Sequence, residues 1–181
     1  MKTLKEYTIP FSSLKNGKNL FSFELNRSFF ETFNWEEFID CSFKVDLSLI
    51  KSETMLDMNF TILGEVISLC DRCMDNLKLK LNNEYRQLIK FVENEQDVFK
   101  DELEFLSINS YEINIAPYLF EYCLLSMPKK KIHQKIQDCN QENIQILEQY
   151  LLTKEKVNEK KKENDEIDSR WDKLKELKNK K

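Results

Sequence analysis

Four stretches in the first half of this chain alternate apolar and polar side chains at a period of two, and this pattern constrains the fold more than any other feature. Phe21, Phe23 and Leu25 alternate with polar neighbours. So do Phe43, Val45, Leu47 and Leu49, then Leu56, Met58, Phe60 and Ile62, then Leu77, Leu79 and Leu81. Successive side chains of a strand point to opposite faces, so the alternation places one face on a core and the other in water, as in an antiparallel sheet. The breaks fall at turn-forming residues: Lys15-Asn16-Gly17-Lys18, Lys51-Ser52-Glu53 and Asn82-Asn83. Up to about residue 92 the reading is therefore strand. Between the first two strands, the aromatic-rich segment from Phe29 to Phe38 reads as a short helix or a packed loop.

The second half changes character in steps. Residues 93–104 carry Glu93, Glu95, Asp97, Asp101, Glu102 and Glu104 and read as an exposed acidic linker. Tyr111 to Ile115 reads as a short strand. Pro117 suits the first turn of a helix, where its missing N–H has no intrahelical partner, and a helix is expected over 116–126, stopped by Pro128. Its residues are apolar almost all round, which predicts burial. The expected organisation is a β-rich core domain over 1–128 with one covering helix, and a basic, helical extension over 129–181. In the extension, 129–140 reads as loop, and 141–152 as an amphipathic helix with Ile144, Ile146, Leu147, Tyr150 and Leu151. Residues 154–166 read as a solvated helix or disorder. A last helix capped by Asp168 or Ser169 aligns Trp171, Leu174 and Leu177, and is expected to pack back with Trp171 as its anchor. The fold class is α+β: an antiparallel sheet or partial barrel covered by a buried helix.

Composition narrows the chemistry. The chain has two glycines, Gly17 and Gly64, so neither a glycine-rich dinucleotide turn nor a P-loop can be written. Lys outnumbers Arg 24 to 4, which lowers the information in any one Lys run. Residues 1–128 carry a net charge of −8 and residues 129–181 a net of +4. An acidic body with a basic tail fits a partner met by the tail, or a solvated tail in a lysine-rich chain. No apolar run approaches the roughly 18 residues of a membrane helix, and Met1 to Glu6 lacks the apolar stretch of a signal peptide. A cytoplasmic address is expected, with no membrane and no small-molecule substrate, and the five cysteines are expected to stay reduced.

Cys70-Asp71-Arg72-Cys73 is the sharpest local signal. Two thiolates two residues apart on a tight turn supply half of a tetrahedral zinc site. His133 and Cys139 are the candidates for the other half, while Cys123, inside the apolar helix, reads as core. Two other readings stand beside Zn2+: a redox dithiol, which belongs at the start of a helix in a βαβ unit rather than between antiparallel strands, and cysteines that simply pack. An enzyme is not expected. The chain has one His, nothing local assembles a triad around it, and no open catalytic metal position with an activating Glu can be written. Basic residues cluster in three places: Lys129, Lys130 and Lys131 with Lys135; Arg72, Lys78 and Lys80; and Arg170 with the lysines from Lys173 to Lys181. If the metal joined the first two, they would merge into one basic surface on an acidic body, suited to phosphate.

The order of these features resembles one family. Gly64, followed after five residues by Cys70-Asp71-Arg72-Cys73, is similar to a G-x5-C-x-R-C core. Ile113-Asn114-Ile115 through Leu124-Leu125-Ser126-Met127-Pro128 is similar to an apolar helix with a Leu-rich, Pro-terminated end. Asp168-Ser169-Arg170-Trp171-Asp172-Lys173-Leu174 is similar to a terminal D-P-R-[FW]-x-x-L signature, with Ser169 in place of Pro. These segments resemble the YceD family, linked to accumulation of large-subunit ribosomal RNA. Many members carry further cysteines after the Pro-ended helix. Here Cys139 alone is left, which makes His133 the substitute fourth ligand. The resemblance implies a role in ribosome production and supplies no catalytic residue. The expectation is a non-enzymatic factor for 23S ribosomal RNA accumulation and ribosome assembly, with Arg72, Lys129, Lys130, Lys131 and Arg170 on RNA phosphates. The alternative is an adaptor whose acidic face meets a basic ribosomal protein without touching RNA.

Overall fold

The computed structural model describes residues 4–93 and 104–151. The chain divides into two compact units, Met1–Cys139 and Asn140–Lys181. The first is an open α+β structure built on a five-stranded sheet of order β2-β3-β4-β5-β6, comprising β2 (Gly17–Asn26), β3 (Asp40–Lys51), β4 (Met55–Leu69), β5 (Asn76–Val92) and β6 (Glu104–Ser107). The first four strands form an antiparallel meander, and β6 joins β5 in parallel. The alternation in the sequence sets the faces. Leu25, Phe43, Val45, Leu47, Leu49, Leu56, Met58, Phe60 and Ile62 are all buried, while Lys18, Ser22, Glu24, Lys44 and Glu65 on the other face are exposed.

Three elements cover the inner face. A short ribbon pairs β1 (Thr8–Ile9) with β7 (Ile113–Asn114) and ties the N-terminal segment to the entry of α2 (Ala116–Leu125). α1 (Arg27–Glu31) buries Phe29 and Phe30, and Phe30 packs edge-on to Phe38 at 5.0 Å and tilted against Phe43 at 5.4 Å. α2 buries Ala116, Leu119, Tyr122 and Cys123, with Tyr122 stacked on Tyr85 of β5 at 4.7 Å. Pro117 lies in its first turn, and Ser126 closes its end by donating from Oγ to Tyr122 O at 2.7 Å.

Two sequence expectations are corrected. Asn82-Asn83 is not a turn: both residues lie inside β5, opposite Leu63 and Ile62 of β4, and a 15-residue ladder with that strand overrides their turn preference. Glu104, placed by its sequence in the acidic linker, instead opens β6. Its carboxylate is held there, accepting from Tyr118 Oη of α2 and from Gln87 Nε2 of β5 at 3.1 Å. Polar Gln87 sits at an inward position because it bonds on both sides, its Oε1 accepting from Tyr122 Oη at 2.8 Å.

In the second unit, α3 (Gln141–Tyr150) is capped by Asn140, whose Oδ1 accepts from the Glu142 and Asn143 N–H groups. The expected helices beyond residue 151, with Arg170 and the Trp171 anchor, lie outside the described residues.

Candidate metal centre

The connection between β4 and β5 runs from Cys70 to Asp75 and is closed by its own backbone. The Cys70 N–H donates to Asp75 O and the Met74 N–H donates to Cys70 O, both at 2.8 Å. Met74 takes a φ of 58°, the left-handed conformation that a tight reversal requires and that glycine adopts at less cost. The reversal turns both thiols inward, and Cys70 and Cys73 are each fully buried.

The chain leaving α2 is drawn to this turn by Asp71. The Asp71 N–H donates to Lys131 O at 2.6 Å, and Asp71 Oδ2 accepts from the Lys131 N–H at 2.7 Å. These two bonds fix the irregular segment that carries His133, and a single 3-10 turn over Ile136–Asp138 then presents Cys139. The four predicted ligands meet. The sulfurs of Cys70, Cys73 and Cys139 and a ring nitrogen of His133 all lie within 4.8 Å of one another.

Their spacing tests whether an ion fits. A tetrahedral zinc with Zn–S of about 2.3 Å and Zn–N of about 2.05 Å has S···N edges of about 3.6 Å. His133 Nδ1 lies 3.7 Å from Cys73 Sγ and 3.6 Å from Cys139 Sγ. Both S···N separations match that edge, the donor set could hold a metal ion, and three soft sulfurs with one imidazole are the chemistry of a closed structural site. The electrostatics act on Cys70 and Cys139 in opposite senses. Burial opposes ionisation of Cys70, but the backbone N–H groups of Arg72, Cys73 and His133 donate to its sulfur and bring its pKa down to about 6. Burial and the neighbouring Cys73 push Cys139 up, while Arg72 Nη1, 3.7 Å from Cys139 Sγ, pulls it back. An ion that supplies positive charge at the centre favours the thiolate form of all three.

The depressed Cys70 pKa is also what a redox dithiol would show. The surroundings differ from that case: the turn joins antiparallel strands, its sulfurs are buried, and two further ligand atoms face them. Cys123 sits fully buried in α2 with its pKa driven up by burial, the core role read from the sequence.

The predicted phosphate contacts are placed unevenly. Lys129 and Lys130 are exposed just ahead of the Asp71 clamp. Lys131 Nζ lies 3.5 Å from Glu37 Oε2, and the Arg72 guanidinium faces the Cys139 sulfur. Lys78 and Lys80 both reach Glu65 on the outer face, at 2.6 and 3.7 Å. Arg170 lies outside the described residues. Sequence reasoning missed Asp71 as the clamp and Arg72 as the cation beside the ligand sulfur. Their place between the two cysteines was the available signal.

Among the described residues, no helix is long and apolar enough to cross a membrane. No curated protein and no solved structure gives a significant match to the chain. A family profile, that of the large ribosomal RNA subunit accumulation protein YceD, matches residues 58–178. The matched span is two thirds of the chain and contains Gly64, the Cys70–Asp75 turn, α2, His133 and Cys139. By this match the chain belongs to the YceD family, whose description is accumulation of the large ribosomal RNA subunit.

Proposed function

We propose that this protein supports large-subunit ribosomal RNA accumulation by binding precursor RNA in the cytoplasm, without catalysis, through a basic loop held in shape by a zinc ion. Cys70, Cys73, His133 and Cys139 hold the ion, and zinc suits their three sulfurs and one nitrogen better than a hard cation would. The ion supplies charge and rigidity and no chemistry. The observation that carries the reading is the Asp71–Lys131 clamp, which brings a lysine-rich segment to the metal ligands across 60 residues of sequence. The clamp leaves Lys129 and Lys130 exposed beside it, where two ammonium groups can meet successive phosphates. The single imidazole faces two thiols, a position that withdraws it from general-base work.

The test is crosslinking of the tagged protein to RNA in growing cells, followed by salt titration of the purified protein on the fragment recovered. Reads concentrate on precursor large-subunit RNA. The variant with Lys129→Ala and Lys130→Ala binds more weakly, with the slope of log K against log salt shallower by about 1.5, as expected for two lost phosphate contacts. Reads at the level of an unrelated cytosolic protein, with a ribosomal protein recovered instead, would overturn RNA binding. They would favour the adaptor role to which the −8 charge of residues 1–128 is suited. An unchanged slope would remove this loop from the contact.

A further inference from the structure

β2 is the edge strand of the sheet, and among the described residues nothing pairs with its outer side. It pairs with β3 through ten unbroken registers, from Gly17↔Lys51 to Asn26↔Ser42, so no bulge bends it away. From Lys18 to Leu25, no backbone group on its free edge has a partner among the described residues. The strand contains no Pro, and its one Lys stands near its start. Soluble proteins normally blunt such an edge with Pro, Lys, a bulge or brevity, because alternate N–H and C=O groups along it are a template for another strand. The opposite edge of this sheet follows the rule: β6 has four residues and begins with Glu104. On β2 the side chains make the template more adhesive. Leu20 is 71% exposed, and Phe21 and Phe23 are half-buried at the margin of the core.

The sequence of β2 is complementary to itself. In an antiparallel pair, directly opposed residues share a face. Pairing two copies of β2 about a two-fold axis at Phe21 sets Phe21 against its own copy on the inner face. On the outer face Leu20 meets Ser22, and Lys18 meets Glu24, each twice. Lys18 and Glu24 are exposed, and neither joins an ion pair among the described residues. Lys44, opposite Glu24 on β3, lies against Asp46 instead, at 3.8 Å. A two-fold interface must be self-complementary, and this register meets the condition in charge and in apolar surface.

We infer that β2 is a homodimer interface: two copies of this chain join edge to edge through Gly17–Leu25, in the register centred on Phe21, to form one ten-stranded sheet. This goes beyond the proposed RNA-binding role and does not depend on it. The test uses the full chain in sedimentation equilibrium up to about 100 µM, because a strand-edge contact is at the small end of stable interfaces. The wild type is expected to dimerise. Lys18→Glu or Glu24→Lys alone places like charges opposite each other twice and weakens dimerisation on the order of tenfold. The double variant, Lys18→Glu with Glu24→Lys, restores it. Both sites are exposed, and far-UV circular dichroism checks that each variant is folded. A monomeric wild type overturns the proposal, as does a dimer indifferent to the single changes or not restored by the double one. Hydrogen exchange gives a second measurement on the unaltered chain. Amides of β2 are expected to gain protection as concentration rises, and protection independent of concentration would mean that the edge is covered within one chain.

Discussion

Gly64 lies directly opposite Phe43 in the centre of the sheet, and the Phe43 ring covers it. A Cβ at this position would stand 2.4 Å from Cδ1, 2.7 Å from Cε1 and 3.2 Å from Cγ of that ring. Ordinary carbon contacts are at about 3.5–4.0 Å, so Gly64→Ala requires the ring or the strand to move by about 1 Å. Neither moves freely. The ring is 1% exposed and packed against Phe30 at 5.4 Å and Phe38 at 6.2 Å. The strand is hydrogen-bonded on both sides, with Gly64 opposite Phe43 on one and Leu81 on the other. Overpacking of this kind costs about 1–3 kcal/mol, from which about 0.5–1 kcal/mol is recovered because Ala has less freedom than Gly when unfolded. The net expectation is a loss of about 1 kcal/mol, read as a lower urea midpoint at constant slope, or a melting temperature about 2–4 °C lower for a chain of this size. Phe43→Leu alone should cost about 1–1.5 kcal/mol. In the double variant the shorter side chain makes room for the methyl, so the two losses should fall short of their sum by at least about 1 kcal/mol. A Gly64→Ala protein within about 0.5 kcal/mol of wild type, or strictly additive losses, would refute the argument that the glycine is there for the ring.

Three further outcomes follow from the metal centre and the outer face. Purified protein should carry one zinc per chain by elemental analysis. Cys139→Ala should weaken zinc binding by more than about 100-fold, and Arg72→Met, which removes the cation beside that sulfur, by about 10- to 100-fold. Asp71→Ala should leave the sheet intact, cost about 1 kcal/mol for the lost bond to the Lys131 N–H, and speed amide exchange over 129–139 selectively. Arg86 holds Asp57 in a two-pronged ion pair, at 2.9 and 2.8 Å, that lowers the Asp57 pKa below its ordinary 3.8. A lowered carboxyl pKa stabilises the fold above the unfolded value and ceases to do so as pH falls through the folded one. Arg86→Met should therefore raise the midpoint of acid unfolding, and the difference from wild type should vanish once Asp57 is protonated in both.

Much of this architecture is written in short-range pattern, and the parts that are not have identifiable causes. β2, β3 and β4 are legible because each keeps its apolar residues on one parity over its length. β5 is legible to Leu81 and then obscured, since Asn83 and Gln87 hold inward positions that an alternation rule reserves for apolar groups. They stand there to meet Tyr85 and Tyr122. β6 has four residues and a parallel partner, and its pairing depends on α2 supplying the tyrosine that fixes Glu104, which no local pattern reports. Cys70 and Cys73 announce themselves by spacing. His133 and Cys139 do not, because an H-x5-C spacing is loose and carries little signal of its own. What the sequence could not show is how they are brought in: a backbone-to-carboxylate clamp uses groups that every Asp has.

Under the proposed function, the same clamp couples metal loading to the display of Lys129 and Lys130. The Cys70–Asp75 turn lies beyond the last β3–β4 pair, Asp40↔Ile67, so sheet pairing supports it from one side only. Without an ion, the two hydrogen bonds to Asp71 are among the contacts that hold the segment from Lys131 to Cys139 to the turn. With an ion, four coordinate bonds cross the same gap. An ion that binds the assembled turn and not the open one stabilises it by about 2.7 kcal/mol at a free concentration 100 times its Kd. Coupling of this kind is reciprocal in binding free energy. If the assembled turn is the form that presents the two lysines to phosphate, zinc must tighten RNA binding, and RNA must tighten zinc binding by the same factor. A chelator competition with and without the bound RNA fragment measures one side of that cycle, and RNA titration of zinc-loaded and zinc-free protein measures the other. Factors of five- to 150-fold are typical for such linkage. A factor of one on both sides would separate the metal from the RNA surface and leave the ion a purely structural tie. Unequal factors would mean that one of the two measurements is not at equilibrium.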